Sequence, residues 1–151
     1  MPVLSQRILQ RMFLGFVAGA LAVLVFHQGI VTVLFNLGLT PLAPYRTMLV
    51  PPFGVPAIVS LCFWGGVYGA LFGAVAPRLP APLWAAGLAI GLLAMLIGWF
   101  VVAPLKGLPI AVGFVPWPMA RSLLINLTWG LGTGLLLPLL SPRRLRRRAL
   151  G

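Results

Sequence analysis

The sequence predicts an all-α integral membrane protein with four transmembrane helices, arranged as two tandem helical hairpins of parallel topology. Hydrophobic residues make up 61% of the 151 positions, only 7% are charged, and the mean hydropathy is +1.10. A soluble domain of this size needs far more charge on its surface. The length instead accommodates several spans of about 20 residues each. We therefore expect a single membrane domain over residues 1–151.

Four apolar stretches are long enough to cross a bilayer. We predict spans at Met12–Leu37, Pro56–Ala76, Pro82–Ala103 and Met119–Leu140. Pro56, Pro82 and Pro118 stand where helices would begin, a position at which the missing N–H of proline costs little. Pro77 follows the second span and favours its termination.

The basic residues are distributed unevenly between the two sides of such a bundle. With four spans, both termini and the 77–81 turn share one side, which carries Arg7, Arg11, Arg78, Arg143, Arg144, Arg146, Arg147 and Arg148. The other side carries only Arg46, Lys106 and Arg121. Because positive charge accumulates on the cytoplasmic side of membrane proteins, we predict cytoplasmic termini in a bacterial-type inner membrane.

The two loops on the opposite side, residues 38–56 and 104–118, are rich in Pro and Gly yet nearly as apolar as the helices. Loops exposed to water are seldom so apolar. Unpaired backbone groups cannot face lipid, so we expect interfacial or shallowly re-entrant segments that are shielded by protein.

The chain contains an internal repeat. The first span matches the third at an offset of 72, so that Gly15 aligns with Gly87. The second span matches the fourth at an offset of 65, so that Trp64 aligns with Trp129. We assign repeat 1 to about residues 12–80, repeat 2 to about 82–145, and a basic tail to 141–151.

Every span carries small residues four positions apart. They are Gly15, Gly19, Gly65, Gly69, Gly73, Gly87, Gly91, Gly130 and Gly134. Helices in lipid associate through close backbone approach, which this spacing permits. We assign these glycines to helix packing, and the three glycines of the second span are also the best candidate contact with another subunit.

The chain contains no Asp and no Glu. Acid–base catalysis by paired carboxylates, carboxylate-bound Mg²⁺ or Ca²⁺, and cation transport coupled to a buried acid all need the missing side chain. No serine stands in a G-x-S-x-G motif, which argues against hydrolase chemistry. We predict a non-enzymatic protein with no metal site and no resident cofactor.

The three basic residues near the Pro/Gly-rich loops form a candidate ligand site. If Arg46, Lys106 and Arg121 converge, they make an acid-free cationic pocket suited to a phosphate, a carboxylate or a lipid headgroup. The alternative is that each side chain extends to the headgroups independently.

Two polar residues within the spans are further candidates, because polar groups inside a membrane are costly. His27 is the only histidine, and Asn126 lies in the fourth span. His27 would hydrogen-bond to Asn126, Ser122 or a backbone carbonyl, ligate a tetrapyrrole, or handle protons.

Five arginines follow the fourth span: Arg143, Arg144, Arg146, Arg147 and Arg148. Arginines beside a span are attracted to anionic headgroups by about 1 kcal/mol each. We therefore assign them to anionic lipid headgroups and expect no nucleic-acid partner.

These observations lead to three alternative functions. The first is an accessory or assembly subunit of a larger membrane complex, or a self-associating bundle, whose partners are other membrane subunits or copies of itself. The second is a small transporter or a lipid- or anion-binding protein that uses the cationic pocket. The third is a pigment- or haem-binding subunit that uses His27.

Overall fold

The computed structural model describes residues 2–141 and the side chains of residues 6–141, and helices dominate this part of the chain. The elements in chain order are α1 (Pro2–Ala22), a π-helical turn (Val23–His27), α2 (Gln28–Asn36), β1 (Leu49–Val50), β2 (Val55–Pro56), α3 (Ala57–Val75), a 3-10 turn (Ala76–Arg78), α4 (Leu83–Ile97), a second π-helical turn (Gly98–Val102), α5 (Ala103–Leu105), a second 3-10 turn (Ile110–Phe114) and α6 (Pro116–Leu140). Strands β1 and β2 pair antiparallel.

Four helices are long and apolar enough to cross a membrane, as the sequence predicts. They are the first span (Gln6–Asn36), the second (Ala57–Arg78), the third (Leu83–Leu105) and the fourth (Pro116–Leu140). Pro56 and Pro82 are the N-caps of α3 and α4, in agreement with the predicted starts. The prediction for Pro118 and Met119 is wrong, because α6 already begins at Pro116, where another proline occupies the first helical position. The first span begins earlier than the predicted Met12, because its polar first turns are helical although they are not hydrophobic.

Glycines bring the first and second spans into backbone contact. A Cβ atom on Gly15 would overlap the carbonyl oxygen of Gly69, and one on Gly19 would overlap that of Gly65. As the residue number rises from Gly15 to Gly19 in the first span, the number of the contacted residue falls from Gly69 to Gly65 in the second. The two spans therefore run antiparallel where they cross. Gly73 meets the first span one turn further along. The three glycines predicted as a contact with another subunit therefore already face a helix of the same chain.

The third and fourth spans pack in the same manner. Gly87 faces the carbonyl oxygen of Gly130, and Gly91 faces that of Asn126. Gly134 continues the crossing toward the start of α4. Glycine contacts therefore join the spans in two pairs, the first with the second and the third with the fourth.

The contacts of the two pairs match in a register that differs from the sequence repeat. In the first pair the carbonyl oxygen of Gly65 faces Gly19, and in the second pair that of Asn126 faces Gly91. Gly65 and Asn126 are therefore equivalent in packing, and they lie 61 positions apart. The sequence match runs at 65 positions, which is about one helical turn away. Trp64 and Trp129 are aligned by sequence but not by position, since Trp64 is 57% exposed and Trp129 only 3%.

Trp129 joins the two helix pairs. Its indole N–H donates to the carbonyl oxygen of Gly19 over 3.0 Å, in a buried hydrogen bond between the fourth and first spans. Its ring meets Tyr68 edge-on, with 6.3 Å between centroids. A hydrophobic core cluster that includes Phe72 and Leu137 brings residues of all four spans together.

The first long loop (residues 37–56) folds back onto the bundle. Gly38, with a φ of +70°, ends α2 in a left-handed cap of the kind that glycine favours. Trp117 at the start of α6 donates its indole N–H to the carbonyl oxygen of Leu39 over 3.0 Å. The carbonyl oxygen of Arg46 accepts the N–H of Ile58 over 3.0 Å, which satisfies a donor in the first turn of α3. The loop is therefore bound to both the second and fourth spans.

Candidate functional site

A cavity of about 310 Å³ lies at the end of the bundle that carries the first long loop and the second long loop (residues 106–115). This volume is near the lower end of the range for small-molecule sites. The first, second and fourth spans and both loops contribute the lining residues. They are His27, Gln28, Val31, Leu42, Ala43, Arg46, Leu61, Val112, Pro118, Arg121, Ser122, Ile125 and Asn126.

Two of the three basic residues that the sequence proposed for a pocket line this cavity. Arg46, which is exposed, comes from the first long loop, and the half-buried Arg121 comes from the start of α6. Lys106 is also exposed but is not part of the lining. Among the described residues, the guanidinium of Arg121 has no hydrogen-bond partner, and the guanidinium of Arg46 makes only a 3.9 Å contact with the sulfur of Met48. Because the sequence has no Asp or Glu, no carboxylate side chain balances either guanidinium. The cavity is therefore cationic.

His27 and Asn126, predicted as candidates apart from the basic residues, line the same cavity. The partner of His27 is not among the groups that the sequence analysis proposed. It is the neighbouring Gln28, whose Nε2 lies 3.2 Å from Nδ1 of His27. Asn126 instead donates from Nδ2 to the carbonyl oxygen of Ser122, one turn earlier, over 2.9 Å.

Gln28 is a further residue of the cavity that the sequence did not predict. Its side chain is 3% exposed and lies at the start of α2. Its Oε1 accepts the backbone N–H of Tyr45 over 2.7 Å, so it binds the first span to the first long loop. The sequence feature that indicates such a role is a glutamine next to a histidine in an apolar helix, since two adjacent polar side chains there need hydrogen-bond partners.

Tyr45 fixes the position of Arg46. Its φ of 51° lies in the left-handed region, which costs a non-glycine residue roughly 1–2 kcal/mol. Two hydrogen bonds hold this conformation: the N–H donates to Gln28, and the hydroxyl donates to the carbonyl oxygen of Leu24 over 2.8 Å. Leu24 lies in the first π-helical turn, and such turns are frequent at functional sites.

The second long loop reaches the cavity through an unusual turn. Ala111, Val112 and Phe114 all have positive φ angles, of 47°, 55° and 55°. A β-branched residue such as Val112 adopts this conformation only rarely, and Val112 lines the cavity. Strained backbone of this kind is concentrated at functional sites. The two loops thus each contribute a strained segment at the same cavity.

The fourth span is tied to the third beside the cavity. Trp99, in the second π-helical turn, donates its indole N–H to Oγ of Ser122 over 3.1 Å. The Ser122 oxygen therefore acts as an acceptor toward Trp99, which leaves its hydroxyl proton free to point elsewhere.

The remaining walls of the cavity are apolar, and they include Val31, Leu61 and Ile125. Leu61 belongs to the face of α3 that the rest of the chain leaves exposed. The cavity is consequently amphipathic, with cationic and polar groups on some walls and hydrocarbon on the others.

The other predicted site residues lie elsewhere. The nine predicted packing glycines lie at the two helix crossings, away from the cavity lining. The five arginines of the tail fall outside the residues that the structure describes. Within residues 6–141, no three His, Cys, Asp or Glu side chains are grouped as a metal site requires. Comparisons of the chain with models of protein families, with curated proteins and with solved structures give no match.

Proposed function

We propose that this chain is a non-enzymatic, multi-pass membrane protein that binds an oxyanion in the cavity between its two long loops. The oxyanion is either a lipid headgroup or a free anion such as phosphate. The observation that carries the proposal is the convergence of Arg46 and Arg121 on one cavity in a sequence without acidic residues. Such guanidiniums favour phosphate and carboxylate groups through paired, charge-assisted hydrogen bonds.

The expected affinity follows from simple electrostatics. At 4 Å and an effective dielectric constant of about 20, one charge pair attracts by about 4 kcal/mol. Two arginines roughly double this attraction, and desolvation and immobilisation of the ligand oppose it. A ceiling of about 1.5 kcal/mol per heavy atom limits a five-atom phosphate to about 7.5 kcal/mol, or a Kd of roughly 3 µM at the tightest. Titrations with free phosphate need to cover micromolar to millimolar concentrations.

The apolar walls favour a ligand that carries hydrocarbon next to its anionic group. Val31, Leu61 and Ile125 come from three different spans, so they offer a surface for an acyl or isoprenoid chain beside the arginines. The exposed position of Leu61 supports entry from the lipid phase. An anionic lipid is therefore the form of the ligand that we favour.

We further propose that the loop end of the bundle faces the non-cytoplasmic side of a bacterial-type inner membrane, with both termini in the cytoplasm. Arg11 and Arg78 support this orientation, since both lie at the end of the bundle opposite Arg46 and Arg121. The basic tail adds five more positive charges after the fourth span. Positive charge on short loops and ends favours retention on the cytoplasmic side.

A titration of the detergent-solubilised protein tests the proposed binding. Thermal stability is measured against inorganic phosphate, a short-chain phosphatidic acid and a short-chain phosphatidylcholine. We expect stabilisation by one or both of the anionic ligands and little by the zwitterionic lipid. Stabilisation by free phosphate identifies a soluble anion as sufficient, whereas stabilisation by phosphatidic acid alone identifies a lipid ligand.

Variants identify the site of binding. Arg46→Gln and Arg121→Gln are each expected to weaken binding by tenfold or more, since one charge-assisted hydrogen bond contributes roughly 1.5–3 kcal/mol. Lys106→Gln is the matched control, because Lys106 is a basic residue near the same loops that does not line the cavity. Equal binding by all three variants and the wild type would contradict the proposal.

Association with other membrane subunits or with a second copy is a second proposed role. The first long loop supports it, because Phe53 at its tip is 86% exposed and Leu49 is 67% exposed. The glycines of the second span do not support it, since the first span covers them. A stoichiometric partner retained in a gentle purification supports this role, and a bare single chain argues against it.

Tetrapyrrole binding at His27 predicts visible absorbance that His27→Ala removes, and a colourless wild-type protein argues against it.

A further inference from the structure

The orientation of the Gln28 side-chain amide is determined by its neighbour in the first long loop. The backbone nitrogen of Tyr45 can only donate, and it lies 2.7 Å from Oε1 of Gln28. A donor requires an acceptor, so the atom facing Tyr45 must be the amide oxygen. The other end of the amide, Nε2, is therefore a donor, and it lies 3.2 Å from Nδ1 of His27.

This arrangement determines the protonation of His27. Nδ1 accepts a hydrogen bond from Gln28, so Nδ1 carries no proton. An imidazole without a proton on Nδ1 is neutral and carries its single proton on Nε2. Gln28 thus makes Nε2 of His27 an obligatory donor.

Nε2 of His27 is unpaired and accessible, and His27 is one of the residues that line the cavity. It makes no hydrogen bond within the described chain. No fully buried side-chain nitrogen or oxygen among the described residues lacks a partner, so Nε2 must be accessible. His27 lines the cavity, and its Nδ1 side is occupied by Gln28.

From this geometry we propose that His27 is a neutral ligand-binding residue, whose Nε2–H donates to an oxyanion held by Arg46 and Arg121. The inference rests on the proposed anion-binding function and specifies the chemistry of that site. The Ser122 hydroxyl, whose oxygen already accepts from Trp99, supplies a further donor at the cavity.

The donor set defines the class of ligand. Two guanidiniums, the imidazole N–H and the Ser122 hydroxyl all donate, and Oδ1 of Asn126 is the acceptor that remains among the side chains discussed. A tetrahedral oxyanion such as a phosphate ester, with lone pairs in several directions, satisfies more of these donors than a planar carboxylate does. A cationic ligand is repelled by the two guanidiniums, and a neutral ligand gains less from them than an anion does.

The single histidine makes a direct test possible, because ¹⁵N-histidine labelling reports on one imidazole only. The protein is purified through a histidine-free affinity tag and studied by NMR in phosphatidylcholine nanodiscs. We expect a neutral ring protonated at Nε2 in the absence of added anion. Lys106→Gln is the control, since Lys106 does not line the cavity and its replacement must leave the tautomer unchanged. Gln28→Leu removes the partner of Nδ1 and is expected to produce a mixture of tautomers.

Phosphate titrations test the role of His27 separately from the proposed anion binding. Inorganic phosphate is expected to shift the Nε2–H resonance, and Arg121→Gln is expected to require at least tenfold more phosphate for the same shift without changing the tautomer. His27→Phe is expected to weaken phosphate binding by roughly tenfold, with partial recovery in His27→Gln, which keeps an N–H donor. A ring protonated at Nδ1 or at both nitrogens overturns the inference, as does full affinity in His27→Phe. Absence of phosphate and phosphatidic acid binding in the wild type overturns the proposed function itself.

Discussion

Replacement of Gly19 by alanine tests the backbone packing of the first helix pair. A Cβ atom at this position would overlap the carbonyl oxygen of Gly65, which belongs to helix backbone and cannot rotate away. The two spans must therefore separate, and overpacking of this kind costs about 1–3 kcal/mol. The carbonyl oxygen of Gly19 also accepts the hydrogen bond from Trp129, worth about 1 kcal/mol. We expect Gly19→Ala to lower the free energy of unfolding by about 2–4 kcal/mol.

Gly29→Ala provides the matched control in the same span. A Cβ atom at Gly29 has no neighbour within 4 Å, and alanine is the better helix former by up to about 1 kcal/mol. Unfolding of both variants by sodium dodecyl sulfate in mixed micelles, followed through tryptophan fluorescence, measures the difference. The packing account requires Gly19→Ala to unfold at a clearly lower detergent fraction than Gly29→Ala. Equal stability of the two variants would refute it.

Two further predictions concern the joining of the helix pairs and the orientation of the bundle. Trp129→Phe is expected to lower the free energy of unfolding by about 1–2 kcal/mol, because it removes the hydrogen bond to Gly19. Trp64→Phe, on the exposed surface, is expected to change it by less than about 0.5 kcal/mol. Equal losses in the two variants would contradict the assigned role of Trp129. In a Cys62→Ala background, an impermeant maleimide applied to cells with a permeable outer membrane is expected to label Phe53→Cys at once and Gln6→Cys only after the inner membrane is opened. The reverse labelling order would invert the proposed topology.

Hydrophobicity predicted the spans because it is a local property of the chain. The second and third spans begin within one residue of their predicted starts, where Pro56 and Pro82 act as N-caps. The first span was predicted too short at its N-terminal end. Its polar residues before Met12 continue the helix without adding hydrophobicity, so a hydropathy argument does not detect them.

The register in which the two helix pairs pack could not be predicted from glycine and tryptophan matches in the sequence. Glycines spaced four apart give an equally good match after a shift of one turn, so the recurrence of Trp64 as Trp129 decided the sequence alignment. Packing instead aligns Gly65 with Asn126, and Asn126 supplies a backbone carbonyl there, which any residue has. Backbone contacts do not require the same side chain, and a comparison of side chains cannot reveal them.

The candidate site was predicted in part. Arg46 and Arg121 could be grouped from the sequence because both are basic, Arg46 lies in the first long loop, and Arg121 closely follows the second. Lys106 was included on the same argument, but loop geometry keeps it out of the cavity. The pairing of Gln28 with Tyr45 depends on a left-handed residue in a loop 17 positions away, and neither composition nor periodicity predicts such a bend.

The central claim is that Arg46 and Arg121 hold an anionic ligand in the cavity at the loop end of the bundle. Native mass spectrometry of the protein released from its own membranes, without added lipid, tests this claim most directly. We expect a bound anionic phospholipid or phosphate on the wild type and on Lys106→Gln, and its loss from the Arg46→Gln/Arg121→Gln double variant. The same distribution of bound masses on all three proteins would contradict it.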